Sequence, residues 1–358
     1  MQVQSVDKGS VAICFVEEAL ACIRQRGLDI QALLQQADLS QELLQVPQAR
    51  VSARQFGRLW HAIAQTLDDE FFGMDRHAMK HGSFTLLCHA TLHSPTLERA
   101  LLRAMRFLRL VLDDLVSELV RDGDTAHIVL KDLNPKGSPQ TDAQGKTSRA
   151  FAYGTYLVIL HGLACWLVGR RIPIQSAGFR CEAPAYAAEW RILFCQDLHF
   201  DQTECRLSFP ASYLELETVQ DETSMKAFLR EAPANFLVKY KNSASLSAQI
   251  RRQLRQWPVQ AWPDLATLAK QLQLSPATLR RRLSEEGESY RAIQQELRRD
   301  LAIMLLSDTP NSLADIASEL GFAESSAFHR AFKQWTGSRP SEYRQSIHFP
   351  QEQFHESV

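Results

Sequence analysis

Residues 264–343 carry one helical pattern twice, and this repeat constrains the fold of the chain more than any other feature. The first copy runs from Asp264 to Leu283 and the second from Ser312 to Phe332. Five positions match at an offset of 48 residues. In the first copy they are Leu265, Ala266, Leu268, Ala269 and Leu272, and in the second they are Leu313, Ala314, Ile316, Ala317 and Leu320. Because apolar residues at these spacings give each helix one buried face, the repeat predicts two helix–turn–helix units.

The turn of each copy has its own sequence signals. Ser275-Pro276 predicts a helix N-cap followed by proline at the first helical position. Gly321 stands where the first helix of the second copy should end. Beyond the turns the matching offset rises to 49, with Leu279 and Leu283 against Phe328 and Phe332. The second turn therefore contains one extra residue.

A helical wheel with those four apolar residues turned inward predicts which side chains face outward. In the first copy these are Ala277, Arg281 and Ser284, with Thr278 at the flank; in the second they are Ser326, Arg330 and Lys333, with Ala327 and His329 at the flanks. Arginine binds guanine edges or phosphates, and serine or threonine contacts bases or backbone. A solvated helix face is the alternative interpretation, but a duplicated helix–turn–helix context favours nucleic acid.

One helix is predicted between the two units, over residues 289–310. Pro310 ends this helix. Its apolar residues recur at helical spacing: Tyr290, Ile293, Leu297, Leu301, Leu305 and Leu306. A helix of about 18–20 residues spans roughly 27–30 Å, close to one DNA turn of ~34 Å. Both units could then reach successive major grooves on one side of double-stranded DNA.

Residues 246–345 resemble the DNA-binding domain of the AraC/XylS family of bacterial transcription regulators. The residues that match the family's pattern in the second unit are Gly321-Phe322, Phe328, Phe332, Gly337, Pro340 and Tyr343. The resemblance implies base or backbone contacts from Ala277, Thr278, Arg280, Arg281, Ser325, Ser326, His329 and Arg330. Ala277 replaces a larger side chain that some members carry, so the first unit is expected to read fewer bases directly.

The N-terminal part has a resemblance of its own. SPTLERAL at 94–101, followed by an arginine- and leucine-rich helix, and the segment 179–215 resemble the arabinose-binding type of N-terminal domain. This domain occurs in a subgroup of AraC/XylS regulators that includes the ornithine-utilisation regulators. The resemblance implies a domain that binds a small-molecule effector, but it does not establish arabinose as the ligand.

The domain organisation follows from these two resemblances and from the element pattern. We expect an α+β effector-binding and dimerisation domain at 1–221, a linker at 222–245, an all-α DNA-binding domain at 246–345 and a tail at 346–358. In the N-terminal part helices are predicted near 11–26, 52–67, 83–92, 95–112, 150–168 and 185–194, and strands near 115–121, 125–132, 175–182 and 198–209.

Five residues of the N-terminal part are candidates for binding the effector. Arg106, Arg149 and Arg180 could anchor a ligand carboxylate, and Phe107 and Tyr153 could line its pocket. The alternatives are surface ion pairs for the arginines and core packing for the aromatic residues.

Charge and cysteine usage agree with an intracellular DNA-binding protein. Residues 246–345 contain 14 lysines and arginines against 11 acidic residues, a net charge of +3, whereas the remainder has 26 against 30, a net charge of −4. The phosphate-binding end is therefore expected at the C-terminus. Seven cysteines without a CxxC pair predict buried thiols in a reducing cytoplasm, and acidic residues interrupt any signal peptide at the start.

Three sequence features could indicate a membrane protein, a metal site or a thiol nucleophile. The apolar stretch Ala150–Gly169 is long enough to span a membrane, but its glycines, tyrosines and His161 favour a buried core helix. His77-x3-His81 and His89-x3-His93 would each put two imidazoles on one helical face, a metal-compatible spacing, but no HExxH motif accompanies them. Cys88 beside His89 does not share a helix face with it. We therefore expect no catalytic residues, no metal and no cofactor.

The sequence as a whole predicts a cytoplasmic, homodimeric transcription activator, not an enzyme and not a membrane protein. Its expected partners are a double-stranded DNA operator, a small-molecule effector and RNA polymerase. Two alternatives stay open: a regulator controlled by protein contacts without a ligand, and an enzymatic N-terminal domain fused to a DNA-binding domain.

Overall fold

The fold comes from a computed structural model, which describes residues 10–46, 49–134, 140–141, 147–233, 246–285, 288–336 and 339–347. The chain forms two compact units that do not follow its linear order. The N-terminal unit contains 14–37 and 53–241, and the C-terminal unit contains 1–13, 38–52 and 242–358. The predicted boundaries at 221 and 245 stay a prediction. Half of the predicted linker (234–245), Gly337 and nearly all of the tail lie outside the described residues.

The N-terminal unit mixes helices with a sheet. Its helices are α1 (Ile13–Gln25), α2 (Ile30–Gln36), α3 (Ala53–Leu67), α4 (Ser83–Leu92), α5 (Leu97–Val111), α6 (Ala150–Leu167), α7 (Ala187–Leu193) and α8 (Glu222–Glu231). Strands β1 (Ser10–Ala12) and β2 (Arg50–Ser52) belong to the other unit. The strands of the N-terminal unit are β3 (Leu115–Asp122), β4 (Thr125–Asp132), β5 (Gln140–Thr141), β6 (Thr147–Ser148), β7 (Ser176–Gly178), β8 (Leu198–His199) and β9 (Cys205–Pro210). The predicted α+β class is confirmed.

Five strands form one sheet in the order β3-β4-β9-β7-β8. All neighbours are antiparallel except the parallel pair β7–β8. The predicted hairpin joins β3 to β4, and Gly123 adopts a positive φ of 56° in its turn. In β4 the side chains of Ala126, Ile128 and Leu130 share one buried face, and Val129 on the opposite face is buried as well.

The apolar helix α6 is the core of the N-terminal unit. By length and composition it could cross a membrane, yet 94% of it is buried within the protein. A core helix needs apolar residues all round, which gives it the same composition as a membrane span. The expectation of a buried helix is confirmed. His161 is one of its polar residues, and its Nε2 lies 2.9 Å from the carbonyl oxygen of Ile172.

The burial of the His161 side chain predicts that the free energy of unfolding depends on pH. Burial lowers the pKa of this imidazole to about 4 from an ordinary value of 6.5. The unfolded chain therefore binds the proton more tightly, and the stabilising contribution present above pH 6.5 is lost as the pH falls towards 4. Because His161 keeps some exposed surface, we expect this term to cost about 1–2 kcal/mol of unfolding free energy between pH 7 and pH 5.

The variant His161→Gln isolates that term, because a glutamine amide can keep the hydrogen bond to Ile172 without titrating. Asp69 acts in the opposite sense, since burial raises its pKa to about 6 and its ionisation above pH 4 lowers stability. Chemical denaturation at pH 5, 6 and 7 should therefore compare the two proteins. An unchanged free-energy difference across the three pH values would contradict the prediction.

Sequence reasoning missed several short elements. Helix α2, capped by Asp29, was not predicted, and neither were β1, β2 or a 3-10 helix at Gln41–Gln45. Three-residue strands and single helical turns contain too few residues for a period to be recognised. His77 and His81 lie in a non-helical segment, so the one-face spacing suggested for them was wrong.

The C-terminal unit is built from seven helices among the residues described. They are α9 (Leu246–Arg255), α10 (Leu265–Gln271), α11 (Pro276–Glu285), α12 (Tyr290–Asp308), α13 (Leu313–Glu319), α14 (Ser325–Thr336) and α15 (Pro340–Ile347). The predicted helical character of this region and its long linker helix α12 are confirmed.

Two segments from the first 52 residues belong to this helical unit. Strand β1 pairs antiparallel with β2, β2 packs against α12, and the 3-10 helix packs against α15. Arg50 is buried; its Nε donates to Ser10 Oγ at 2.9 Å, and the hydroxyl of Tyr343 donates to its carbonyl oxygen. The last helix of the unit is thus tied to the start of the chain.

Candidate DNA interface

The first helix–turn–helix unit consists of α10 and α11. Asp264 caps α10 by accepting the backbone N–H of Thr267 at 2.7 Å. Ser275 caps α11 by accepting that of Thr278 at 3.1 Å, and Pro276 begins the helix. The predicted cap is confirmed. The turn between them places Gln273 at a positive φ of 56°, a conformation that glycine adopts more readily.

The second unit consists of α13 and α14. Ser312 and Asp315 form a reciprocal capping box at the start of α13. Gly321 has a positive φ of 76° just after the helix, as the sequence predicts. It is the structural equivalent of Gln273 at an offset of 48, so the extra residue of the second turn lies beyond this position.

The linker helix α12 contributes to the packing of both units. In the first unit its residues join one buried cluster with α9, α10 and α11: Tyr290, Ile293 and Leu297 pack with Ile250, Leu254, Leu268, Ala269, Leu279 and Leu283. Its second half packs against α13 and α14. At 19 residues it spans about 28 Å, so the separation of the two units is set by a helix that belongs to both cores.

A buried ion cluster holds α9 to the linker helix. Arg251 is 3% exposed, and its Nη2 lies 2.6 Å from Glu296 Oε2 and 3.0 Å from Glu288 Oε1. Nearby, the guanidinium of Arg298 lies over the ring of Trp262 at 5.1 Å from the centroid. Arg251 and Arg298 therefore already have partners within the protein, although the sequence alone would include both among the positive charges that could bind DNA.

A second connection joins the second unit to the 3-10 helix Val259–Ala261, which lies just before α10. The side chain of Gln260 donates to the carbonyl oxygen of Ser318 near the end of α13. A Cβ on Gly321 would lie 3.2 Å from Val259 Cγ1, so glycine is needed there both for its backbone conformation and for this close approach. The second unit is thus attached both to α12 and to the segment that leads into α10, which restricts changes in the relative orientation of the two units.

The residues predicted to contact DNA lie on the outward faces of α11 and α14. Ala277, Arg280, Arg281, Ser326 and Arg330 are exposed, and Thr278, Ser325 and His329 are half-buried. The apolar residues used to orient the wheel, Leu279, Leu283, Phe328 and Phe332, are all at most 1% exposed. The predicted facing of the helices is therefore confirmed, while the DNA contacts themselves stay a prediction.

Two of these arginines are available for a partner. Within the described part of the chain, Arg280 and Arg330 make no ion pair or hydrogen bond. Thr278 differs, because its hydroxyl is 2.9 Å from Ser275 Oγ within the helix cap. Ser326 donates to the carboxylate of Glu324 at 3.1 Å. Glu324, which sequence reasoning did not single out, adds an acceptor at the start of the second recognition helix.

The predicted effector residues do not come together as one site. Arg106 and Arg180 are exposed, and Phe107 is half-buried on α5. Only Arg149 and Tyr153 meet, and both bind Asp132: Arg149 Nε lies 2.7 Å from Asp132 Oδ2, and the hydroxyl of Tyr153 donates to the same oxygen at 2.7 Å.

Asp114 is the second carboxylate near this arginine, with its Oδ2 lying 3.9 Å from Arg149 Nη1. The side chains of Asp114 and Arg149 are both at most 5% exposed. Burial, together with the hydrogen bond to Asp132, raises the pKa of Tyr153. The guanidinium of Arg149 is thus already balanced by two buried carboxylates, which favours the structural alternative for this residue. Its role in effector binding stays a prediction.

Comparison with known proteins agrees with both halves of this description. Residues 27–218, more than half of the chain, match the arabinose-binding N-terminal domain of AraC transcription regulators, and residues 268–346 match a helix–turn–helix domain. The ornithine utilization regulator of Pseudomonas aeruginosa is 30% identical over 341 residues, which cover 94% of this chain and 96% of that protein.

More distant likenesses cover less or are weaker. The regulator VqsM of Pseudomonas aeruginosa is 29% identical over 206 residues, covering 56% of this chain and 62% of that one. The match to the crystal structure of the regulator CdpR from the same organism covers 92% of this chain and 96% of that chain, at 19% identity and a TM-score of 0.31. From the domain matches and the full-length relative, the chain belongs to the AraC family of transcription regulators, with an arabinose-binding-type N-terminal domain and a DNA-binding helix–turn–helix domain.

Proposed function

We propose that the protein is a cytoplasmic, homodimeric activator in which each protomer binds two successive major grooves of its operator. The observation that carries this proposal is the pair of recognition helices, α11 and α14, held by one shared linker helix with their arginines outward. The span of α12, about 28 Å, is close to the ~34 Å of one DNA turn.

Effector binding would change the affinity for DNA only if the effector binds two states of the protein with different affinities. The arabinose-binding-type domain supports a small metabolite as the signal, and the ornithine utilization regulator is a full-length relative with the same domain order. Contact with RNA polymerase and activation, as opposed to repression, are part of this proposal.

Individual contacts can be proposed from side-chain chemistry. Arg280 and Arg330 suit guanine edges or phosphates, and Ala277 can contact only a thymine methyl group or the sugar–phosphate backbone. Glu324 can accept a hydrogen bond from a cytosine amino group, while its negative charge disfavours a phosphate at that end of α14. The second unit is therefore expected to discriminate more strongly between bases than the first.

Hydroxyl-radical footprinting on an operator selected from random DNA tests the proposed geometry. Each protomer should protect two blocks centred about 10 bp apart on one face of the duplex, within a half-site of about 17–20 bp. A single protected block, or two blocks on opposite faces, would show that the units do not enter successive grooves. The number of half-sites per complex tests the proposed dimer.

A further inference from the structure

The N-terminal unit contains a pocket that none of the predicted effector residues lines. It measures about 400 Å³ including its mouth, and its walls come from α3, α4, α6, the loop after α3 and the end of α8. Trp60, Ala64, Met79, Phe84 and Ile159 form its apolar surface. Much of that volume is open to solvent, and the enclosed part is about 40 Å³, which suits only a compact molecule. Ligand sites in proteins are typically concave and mostly apolar, with a few polar groups that fix the orientation of the ligand.

The apolar walls are held in place by contacts around the pocket. The indole N–H of Trp60 donates to the carbonyl oxygen of Glu70 at 3.1 Å. The ring of Phe84 packs against Phe228 of α8, with centroids 6.1 Å apart, and Phe228 stacks on Trp166 of α6. A pocket whose walls are packed in this way is largely formed before a ligand enters, which lowers the entropic cost of binding.

Glu70 is the acidic residue of the pocket wall. Its two carboxylate oxygens accept the backbone N–H groups of Gly82 and Phe84, both at 2.7 Å, and so cap the start of α4. Each oxygen has a further lone pair for a ligand donor. No lysine or arginine is among the described residues that line the pocket. Outside the lining, His81 Nδ1 lies 3.4 Å from Glu70 Oε1. An anionic ligand group would therefore meet a carboxylate within the pocket, and no cationic side chain lines the pocket beside it among the described residues.

His61 stands at the mouth and connects the pocket to the end of α8. Its Nε2 lies 2.8 Å from the carbonyl oxygen of Ala232, so this nitrogen carries the hydrogen. Ala232 and Pro233 complete the wall, and Pro233 is the last described residue before the segment that leads to the C-terminal unit. A bound molecule would touch the chain at that point.

We propose that this pocket is the effector site and that it takes a compact, mainly apolar molecule with a hydrogen-bond donor, such as an amine or a hydroxyl, and without an anionic group next to Glu70. This inference rests on the proposed ligand response and specifies the chemistry of the ligand. It is opposite in sign to the arginine hypothesis, in which the ligand presents a carboxylate.

Three probes with one ring and different charges test the proposal on the full-length protein. Ligand-observed NMR titrations of benzylamine, benzyl alcohol and phenylacetate compare a cationic, a neutral and an anionic group. We expect the amine and the alcohol to bind at least tenfold more tightly than phenylacetate. Phenylacetate binding as tight as that of the amine would overturn the proposed chemistry, as would the absence of binding by all three.

Two variants of α3 locate the binding. Ala64→Leu fills the pocket and should weaken benzylamine binding at least tenfold, whereas Gln65→Leu, at an exposed position of the same helix, should leave it within twofold. Unchanged binding in Ala64→Leu would overturn the location. If that variant fails to fold, Ala64→Val, which adds less volume at the same position, takes its place and should weaken benzylamine binding in the same direction. The operator footprint does not involve this pocket, so the proposed DNA-binding geometry stands or falls separately.

Discussion

Replacing Arg330 with alanine should weaken binding to the specific operator by about 5- to 150-fold, or roughly 1–3 kcal/mol. The side chain is exposed on the outward face of α14 and has no partner among the described residues. Its removal therefore costs little folding stability, and the loss should appear in DNA binding. Arg280→Ala on α11 should act in the same direction, and the double variant should lose about the sum of the two effects, because the residues lie on separate helices.

Fluorescence anisotropy at several salt concentrations separates the possible roles of Arg330. If it reads a base, the loss should be larger on the operator than on random DNA, and the salt slope should stay nearly unchanged. If it holds a phosphate, binding should fall on every sequence and the slope should decrease by about 1.

Arg291→Ala is the matched control for this measurement. Arg291 is exposed on the linker helix, so its loss changes the net charge equally without touching a recognition helix. Operator affinity within about twofold of the unaltered protein is expected for this control. Equal losses for Arg291→Ala and Arg330→Ala would mean that only net charge matters.

Replacing Arg149 with methionine should destabilise the N-terminal unit by about 3–5 kcal/mol, because it leaves the buried carboxylate of Asp132 without its cation. Asp114 keeps its ion pair with Arg76, whose Nε lies 2.5 Å from Asp114 Oδ1. Methionine keeps much of the apolar volume, so the loss reports the charge more than a cavity. Chemical denaturation followed by circular dichroism measures the effect.

Two further variants decide what Arg149 does. Arg149→Met combined with Asp132→Asn should recover part of the loss, because the amide oxygen can still accept from Tyr153 while the unpaired charge is removed. Arg180→Met, at an exposed position, should change stability by less than about 0.5 kcal/mol. If Arg149→Met were as stable as the unaltered protein, the arginine would be free to serve a ligand, as the sequence hypothesis has it.

The recognition helices could be predicted because local signals and packing agree there. Leu279 and Phe328 recur at matching positions of a duplicated pattern, and the caps at Ser275 and Gly321 mark where helices begin and end. A repeat doubles the evidence for each element, so even the outward faces follow from the helical period. Helix α6 could also be predicted from its long apolar stretch, although composition alone does not distinguish a buried core helix from a membrane-spanning helix.

The effector residues could not be predicted in the same way. Arg149 and Asp132 are 17 positions apart in sequence, and their ion pair depends on how α6 packs beside the sheet. A sequence shows that a residue is charged, but it does not show whether a buried partner already balances that charge. The pocket around Trp60 and Glu70 depends likewise on five chain segments meeting.

The number, kind and facing of the helices in the two helix–turn–helix units, and the mixed class of the N-terminal part, could be predicted from local patterns in the sequence. These properties depend on periodicity and capping, which act over a few residues along the chain. Three other properties required the folded structure. The elements β1, β2 and the 3-10 helix at Gln41–Gln45 pack into the C-terminal unit, Gly321 lies close to Val259, and the pocket around Trp60 is lined by a glutamate and by no arginine among the described residues. Each of those depends on contacts between segments far apart in sequence, whose pairing is selected by the free energy of burying them together.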